Sequence, residues 1–507
     1  MIHTNEAASA LVCARRALLY RTDKPDPHDF AKPDRAEYRR RYEELLSVLD
    51  VPCGQTGDPA SRSLEILEKY KAGKDLRFES QSIRTTIPLI QYDESCAEDD
   101  PRYIAVYPVY GTTPKDNLLY RLYADAAVLD GCGIHLSAIR LIALRKDLIS
   151  NADMPAGEIF TVHESLKKMR GGWHRATALE MVENLAAKES YSDFLSLVHD
   201  FYNRDENGAA DEIIPRKVKA CTNPKCPLYD TCWGESALPD DSSAFLFSTR
   251  FRPWFEENGV ERLEQIDGKH MEGSLMQYAQ IMAARSGGVY MDAPAVDAWF
   301  KSLSYPISYL DFEWDTYVLS PYDGMKPFDV LCFQYSLHIE DEQGNMEHCA
   351  FFETGDCRID FIEALIEDLP KEGSILVFNM EGAERLRLLQ LASQYEQYRK
   401  PLEKICERMV DLAVPFECGS YYDIRQRAHS SLKTLLPLFT DEVSYSDLDV
   451  GNGVEAVYVY RNAAHSAGVE QLALARNISD YCTLDTLAEK KLADGLKHKL
   501  EEEKCQI

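Results

Sequence analysis

Two acidic residues alternate along an otherwise apolar run past the middle of the sequence. Asp311 and Glu313 stand in ISYLDFEW, whose β-branched and aromatic residues predict a strand. Because successive side chains of a strand point to opposite faces, both carboxylates share one face of the sheet. On a buried face they would repel each other unless a cation lay between them, whereas on an edge strand they would face water. The pair alone leaves both interpretations open.

A second pair of chemically useful side chains lies far along the chain. Tyr481 and Asp485, in DYCTLDTLAEKKL, are four residues apart on a predicted helix and therefore share a face. A two-metal phosphodiesterase needs three or four carboxylates that hold Mg²⁺ or Mn²⁺ ions about 3.5–4 Å apart. Asp485 could complete such a site while the Tyr481 phenol orients the attacking water. A solvated Asp beside a core Tyr explains the same spacing.

The segments around these residues predict a mixed α/β domain. Strand patterns occupy PISYLDFEW, FDVLCFQYSLHIE and EHCAFFE, and DEQGN between the last two is typical of a hairpin turn. A helical pattern follows in CRIDFIEALIEDL, then a buried-strand run in GSILVFN and a second helical pattern in EGAERLRLLQLASQYEQY. The order β-β-β-α-β-α opens a ribonuclease-H-like layout, which a long helix over residues 469–504 would close.

Residues 305–489 resemble the DnaQ-like DEDD exonucleases of the tyrosine-bearing subclass, through the Asp-x-Glu of the first strand and the Tyr-x3-Asp of the last helix. More closely, YPISYLDFEW, PFDVLCFQYSLHI, SSLKTLLP and YCTLDTLA resemble a bacterial family in which such a domain follows a RecB-like iron–sulfur nuclease domain. The resemblance implies 3′-to-5′ cleavage of DNA or RNA with two Mg²⁺ or Mn²⁺ ions. The residues it implies are Asp311, Glu313, Glu384 and Asp485 as ligands, with Tyr481 orienting water.

The second acidic motif of this family is a carboxylate that follows an Asn at the end of the fourth strand. Here the stretch reads FNMEGAERLRLLQLA, and its spacing from Asn379 is one residue longer than the family pattern. Glu384 is the predicted ligand, with Glu381 as the alternative. A Glu in place of the usual Asp reaches one methylene farther. Asp411, in RMVDLAVPF, resembles a helper position outside the metal quartet and is predicted to be structural.

The front of the chain carries a cysteine pattern of its own. Cys221, Cys226 and Cys232 have the form C-x4-C-x5-C in a loop rich in turn residues. Three thiolates need a fourth, which Cys13 supplies if the first helix packs beside the loop. This arrangement resembles the cluster of RecB-like iron–sulfur nucleases and implies [4Fe–4S]. A tetrahedral zinc site and four unrelated buried thiols are the alternatives.

The front domain does not carry the acidic motif of an active RecB-like nuclease. Matching LYRLYADAAVLDGCGIHLSAIRLIALRKD to the family pattern puts the Glu-x-Lys stretch on Tyr107, Pro108 and Val109, and the preceding carboxylate near residues 85–87. None of these side chains can hold Mg²⁺ through a carboxylate, and Asp125 does not restore the site. We expect a catalytically inactive domain of restriction-endonuclease type that binds nucleic acid or a partner.

Length predicts several domains, since single cores stop growing near roughly 250–300 residues. For the 507 residues we predict a RecB-like α/β domain over 1–237, a helical connector over 238–303 and a ribonuclease-H-like domain over 304–507. No apolar run is long enough to span a bilayer and the start lacks the layout of a secretory signal, so we expect a cytoplasmic protein.

Charge bears on the choice of partner. The sequence has 56 Lys and Arg against 84 Asp and Glu, and its net charge of −28 repels a polyanion at long range. A nucleic-acid substrate therefore requires a local basic patch, such as Arg216, Lys217 and Lys219, or a partner protein that supplies affinity. An inactive nucleic-acid- or protein-binding scaffold is the alternative function.

Overall fold

A computed structural model describes residues 2–22, 32–55, 57–97, 99–149, 154–169, 171–203, 226, 228, 231–232, 238–442 and 450–506. The chain forms two compact units, one of residues 1–234 with 317–328 and the other of residues 235–316 with 329–507. Both units mix helices with more than one sheet. Within the described ranges, no helix is both long enough and apolar enough to cross a bilayer.

The first unit is built around one large sheet and a small separate pair of strands. Its strands are β1 (Ile2–His3), β2 (Ala72–Ser80), β3 (Ile83–Tyr92), β4 (Arg102–Pro108), β5 (His135–Leu144), β6 (Phe160–His163), β7 (Ser165–Lys167) and β8 (Trp173–Thr177). β3 pairs with β1 in parallel and with β2 and β4 antiparallel. β4 and β5 run parallel, β6 closes the sheet antiparallel to β5, and β7 pairs antiparallel with β8.

The helices of the first unit cover this sheet. They are α1 (Thr4–Val12), α2 (Ala14–Thr22), α3 (Lys32–Ser47), α4 (Ala60–Tyr70), α5 (Leu119–Gly131), α6 (Ala156–Ile159), α7 (Ala178–Ala186) and α8 (Tyr191–Asn203), with a 3₁₀ turn at Asp116–Leu118. α5 is buried at every position from 122 to 129, as expected for a helix that is apolar on nearly all sides. It is the central helix of the unit.

Residues 317–328 belong to the first unit although they connect two strands of the second. Val318 is buried in a hydrophobic cluster with Tyr38 and Tyr42 of α3, and Leu319 and Phe328 pack against the same cluster. The Tyr38 hydroxyl donates a hydrogen bond to the carbonyl of Val109 at 2.9 Å. Apolar burial thus holds this excursion of the chain in the first unit.

The second unit has a five-stranded sheet and a separate two-stranded one. Its strands are β9 (Val289–Met291), β10 (Ile307–Thr316), β11 (Val330–Glu340), β12 (Met346–Phe352), β13 (Ile375–Val377), β14 (Met409–Asp411) and β15 (Tyr421–Asp423). The large sheet has the order β12-β11-β10-β13-β14. The first three strands are antiparallel, whereas β10, β13 and β14 run parallel. β9 pairs antiparallel with β15.

Helices lie on both faces of the five-stranded sheet. The helices of the unit are α9 (Arg252–Glu257), α10 (Leu275–Arg285), α11 (Ala293–Lys301), α12 (Arg358–Asp368), α13 (Glu384–Gln394), α14 (Arg399–Glu407), α15 (Val414–Glu417), α16 (Leu432–Leu435), α17 (Gly453–His465) and α18 (Val469–Gln506). Its 3₁₀ turns are Ser243–Phe245, Leu263–Gln265, Gly268–His270, Glu396–Tyr398, Ile424–Gln426 and Leu436–Leu438.

The two faces of β10 face different cores. Leu310 and Phe312 pack in the cluster formed with α12, α13 and α14. Tyr309, on the opposite face, packs in a cluster that includes Leu492 and Leu496 of α18. Because side chains alternate along the strand, the residues at odd positions face α18. The long last helix therefore covers the face that carries Asp311 and Glu313.

Candidate metal centre

Three carboxylates from two distant segments meet between β10 and α18. Asp311, Glu313 and Asp485 each offer an oxygen within 4.8 Å of the oxygens of the other two. Glu313 and Asp485 are buried, and Asp311 is partly exposed. An ion with metal–oxygen distances of about 2.0–2.6 Å holds its ligand oxygens at such separations, so the group has the dimensions of a site for one divalent cation.

Helical periodicity explains how α18 brings its side chains to the sheet. Ala488, Leu492 and Leu496 form its apolar stripe, and toward the start of the helix the same side carries Tyr481 and Asp485. Their spacing of roughly one helical turn puts them on one face. The stripe that fixes the helix on the sheet thus also directs its polar side chains toward β10.

A turn after β13 carries the second acidic motif. Asn379 adopts a φ of 70°, in the left-handed region where Asn is tolerated better than most residues. The Asp411 carboxylate accepts hydrogen bonds from the backbone N–H groups of Asn379 (3.0 Å), Met380 (2.8 Å) and Ala413 (2.9 Å). Asp411 therefore fixes the turn, in agreement with its predicted structural role.

The turn leads directly to Glu384, the first residue of α13. Its side chain is 2 % exposed, and its Oε2 has no hydrogen-bond partner among the described residues. Glu381 is exposed instead and accepts a hydrogen bond from Arg385 at 2.5 Å. Of the two predicted candidates, Glu384 is thus the one directed inward. It lies outside the group of three whose oxygens fall within 4.8 Å of one another.

Burial and mutual repulsion raise the pKa values of these acids. Burial, followed by the charge of Asp485, raises the pKa of Asp311 to about 7. Burial and then the charge of Asp311 raise the pKa of Glu313 well above its ordinary value, and the same two causes act on Glu384. A bound divalent cation would reverse the sign of the local field and favour all of these carboxylates in ionised form.

Two further side chains contact this group and were not predicted as site residues. The Lys433 ammonium of α16 donates a hydrogen bond to the Tyr481 hydroxyl at 3.3 Å and lies 4.9 Å from the centroid of its ring. The thiol of Cys482 donates to Asp311 Oδ2 at 3.2 Å. Lys433 stands in SSLKTLLP, one of the segments on which the family resemblance rests. Neither spacing nor helical periodicity in the sequence links it to Tyr481 on α18.

Helix α17 closes the site next to Glu313 and neutralises a neighbouring acid. A Cβ on Gly453 would lie 3.0 Å from Glu313 Oε2, so the absence of a side chain leaves room for this carboxylate. Arg461 donates two hydrogen bonds of 2.8 Å to the buried Asp315. Asp315, the third acid at alternate positions of β10, is therefore paired with an arginine of the protein itself.

A polar cluster lies on the sheet of the first unit, at the positions matched to the Glu-x-Lys stretch of the RecB-like pattern. Thr85 donates to Asp125 Oδ1 at 2.5 Å, and Arg121 donates to Asp125 Oδ2 at 2.7 Å. Burial, and then the charge of Asp125, raise the pKa of Tyr107 well above its ordinary value. Val109 is buried. The Asp125 carboxylate of this cluster is thus already paired with Arg121.

The cysteine pattern is described only in part. Cys13, Cys226 and Cys232 are free thiols of the first unit, whereas Cys221 and the predicted basic patch at residues 216–219 lie outside the described residues. Burial raises the pKa of Cys232, and the neighbouring Arg15 acts in the opposite direction. Among the described residues, Cys13, Cys226 and Cys232 do not form a group whose sulfur atoms all lie within 4.8 Å of one another.

Residues 308–431 match a family model described as a domain of unknown function, DUF2779. The matched segment contains Asp311, Glu313 and Glu384 and ends before Tyr481 and Asp485. No curated protein and no solved structure matches the chain.

Proposed function

We propose that the second unit hydrolyses phosphodiester bonds at the 3′ end of DNA or RNA with two Mg²⁺ or Mn²⁺ ions. The observation that carries the proposal is the meeting of Asp311, Glu313 and Asp485, from a strand and a distant helix, with oxygens within 4.8 Å of one another. A cluster of largely buried carboxylates is costly, and such clusters are typical of functional sites.

The donor set fits hard divalent cations. Among the described residues, no Lys, Arg or His forms an ion pair within 4.0 Å with Asp311, Glu313 or Glu384. Glu384 adds a buried oxygen without a hydrogen-bond partner. When bound, such cations lower the pKa of a water and stabilise the charge that develops on the leaving oxygen.

The protein's own side chains would position the water. Burial and the neighbouring carboxylates, Asp485 first, raise the pKa of Tyr481, so its phenol keeps its proton and acts through hydrogen bonds rather than as a base. Lys433 fixes the hydroxyl of that phenol. In the reaction the water oxygen bonds to phosphorus and the bond from phosphorus to the 3′ oxygen of the preceding nucleotide breaks. That oxygen takes up a proton.

The strand order supports the ribonuclease-H-like assignment on which the polarity of cleavage rests. The antiparallel strands β10, β11 and β12 lead through α12 into β13, which runs parallel to β10, and this is the arrangement that the resemblance predicts. Fold alone does not imply activity, so the proposal depends on the carboxylates.

For the first unit we propose a RecB-like binding platform whose Cys13, Cys221, Cys226 and Cys232 hold a [4Fe–4S] cluster, with Zn²⁺ as the alternative. The spacing of the cysteines and the presence of Cys13, Cys226 and Cys232 as free thiols in one unit support it. Iron, sulfide and zinc analysis of the purified protein distinguishes the two metals. Cys13→Ser should lower the metal content, and Cys53→Ser, at an exposed thiol of the same unit, should not.

The proposal is tested with single-stranded DNA and RNA oligonucleotides that carry a label at the 3′ or the 5′ end, in the presence of Mn²⁺. Wild type should release mononucleotides from the 3′ end. Asp311→Asn should lower the rate at least about 100-fold, a barrier increase of about 2.7 kcal/mol. Asp360→Asn, at an exposed position of α12, should retain the wild-type rate. Unchanged activity of Asp311→Asn would show that the centre is elsewhere.

An inactive scaffold is the second candidate, and the front unit favours it. There the buried Asp125 carboxylate is paired with Arg121, as in a site that no longer needs a cation. A scaffold predicts that Mn²⁺ has no effect on the melting temperature. The exonuclease proposal predicts an increase that Asp311→Asn abolishes.

A further inference from the structure

Glu489 is a fifth acid at the candidate metal centre. It lies on α18 one helical turn beyond Asp485, and its side chain is 1 % exposed. Its Oε2 is buried and has no hydrogen-bond partner among the described residues. An ordinary structural glutamate at such depth would be paired with a cation or a hydrogen-bond donor.

The surroundings of Glu489 are acidic. Burial is the first cause of its raised pKa, and the charges of Asp311 and Glu384 are the next two. Asp485 and Asp411 raise it further. Because Glu489 follows Asp485 by four residues on the same helix, the two side chains lie on one face of α18.

Glu384 and Glu489 share two properties. Each has a buried oxygen without a hydrogen-bond partner in the described part of the chain, and each has Asp311 as its first neighbouring charge. Both lie outside the group of Asp311, Glu313 and Asp485 whose oxygens fall within 4.8 Å of one another. A carboxylate has two oxygens with about four lone-pair sites, which allows Asp311 to contribute to two cations.

We propose that Glu489 is a cation ligand and that, with Glu384 and the shared Asp311, it forms a second divalent-cation subsite beside that of Asp311, Glu313 and Asp485. This rests on the proposed two-cation function. In this arrangement α18 supplies an oxygen ligand in addition to that of the second acidic motif, whose spacing before Glu384 is one residue longer than the family pattern.

Mn²⁺ binding to the full-length protein, measured by isothermal titration calorimetry, tests this assignment. Wild type should bind two ions at sites that Asp311→Asn abolishes. Glu489→Gln keeps the size of the side chain and removes its charge, and it should retain one ion and weaken the second at least about tenfold, or about 1.4 kcal/mol. Glu501→Gln, at an exposed position of the same helix, should bind as wild type does.

The outcomes separate this inference from the function on which it rests. Two ions with wild-type affinities in Glu489→Gln would overturn the role of Glu489 and leave the exonuclease proposal intact. The absence of Mn²⁺ binding in wild type would overturn both. Far-UV circular dichroism checks the fold, and Glu489→Asp, shorter by one methylene, provides a second variant. It should also weaken the second binding event, and wild-type binding of both ions would again count against the ligand role.

Discussion

Buried acids lie against a sheet in both units, and the two units satisfy them differently. In the first unit Asp125 is fully buried, accepts hydrogen bonds from Thr85 and Arg121, and so has partners on both oxygens. In the second unit Glu384 and Glu489 are equally deep, yet each has a buried oxygen without a hydrogen-bond partner among the described residues. A buried acid that is already paired is part of the fold, whereas an acid without partners must take up either a proton or a cation from outside.

Removal of Arg121 should make the buried acid of the first unit resemble those of the second, because Asp125 then lacks a cationic partner. Arg121→Ala leaves the Asp125 carboxylate buried without its cation, which should cost about 3 kcal/mol of the free energy of unfolding. Urea denaturation measures it. The matched control is Arg62→Ala, whose exposed ion pair with Glu65 should contribute less than about 0.5 kcal/mol. An equal, small loss in both variants would show that Asp125 is not held by its partner.

In the absence of a cation, the acids of the second unit should destabilise the protein as the pH rises. The pKa of Asp311 is raised to about 7 in the folded state, so between its ordinary value near 4 and pH 7 the native state holds a proton that the unfolded state has lost. The free energy of unfolding should therefore fall as the pH rises through that range.

Urea denaturation in EDTA at pH 5 and pH 8 measures this loss, which should be about 2 kcal/mol smaller in Asp311→Asn. Saturating Mn²⁺ should abolish the loss in wild type. A cation-free protein as stable at pH 8 as at pH 5, with no difference from Asp311→Asn, would contradict the raised pKa of Asp311.

Lys433 tests whether the second unit uses a cation of its own to position the phenol. Lys433→Met should lower kcat about tenfold, or about 1.4 kcal/mol, with little change in KM, because the Tyr481 hydroxyl loses a hydrogen bond that orients it. Lys433→Arg should recover part of the rate. Lys404→Met, at an exposed position of α14, serves as the control. A change confined to KM would assign Lys433 to substrate binding instead.

A neutral network next to the acids should give the smallest effect, with the opposite sign. His338 and Ser336 both contact the Thr486 hydroxyl at 2.8 Å, and Ser336 contacts His348 at 3.0 Å. Burial, followed by His348, lowers the pKa of His338 to about 4.

Between pH 6.5 and pH 4 the unfolded state then binds a proton that the native state does not, so stability should fall as the pH falls. Because the ring is only half-buried, we expect about 1 kcal/mol, visible as a difference between wild type and His338→Gln in urea. His498→Gln, at an exposed histidine, is the control. A stability that rises toward pH 4 relative to His338→Gln would exclude the assignment.

The periodicity of the sequence predicted which site residues share a face of one strand or one helix. The two-residue period of ISYLDFEW put Asp311 and Glu313 on one face, and the helical period put Tyr481 and Asp485 on one side of α18, as the structure has them. Strands β10 to β13 and helix α18 also lie where their patterns indicated. These features depend on local geometry, which the sequence carries directly.

Contacts between distant segments could not be read in the same way. Glu489 continues the spacing of Asp485 by one turn, but only packing on the sheet shows that it is buried rather than solvated. The three-residue strand β9 is too short for a period, and its partner β15 lies more than a hundred residues away, so the predicted helical connector did not include it. Lys433 likewise reaches Tyr481 only through tertiary structure.

The segment of residues 317–328 determines where the chain can be cut into fragments that fold separately. Because Val318 is buried with Tyr38 and Tyr42, a fragment that begins at residue 304 would carry its apolar segment without the side chains that cover it. The two units are therefore not interchangeable modules that a single cut separates. A fragment that contains the second unit alone would need a short polar loop in place of residues 317–328 to avoid exposing an apolar surface.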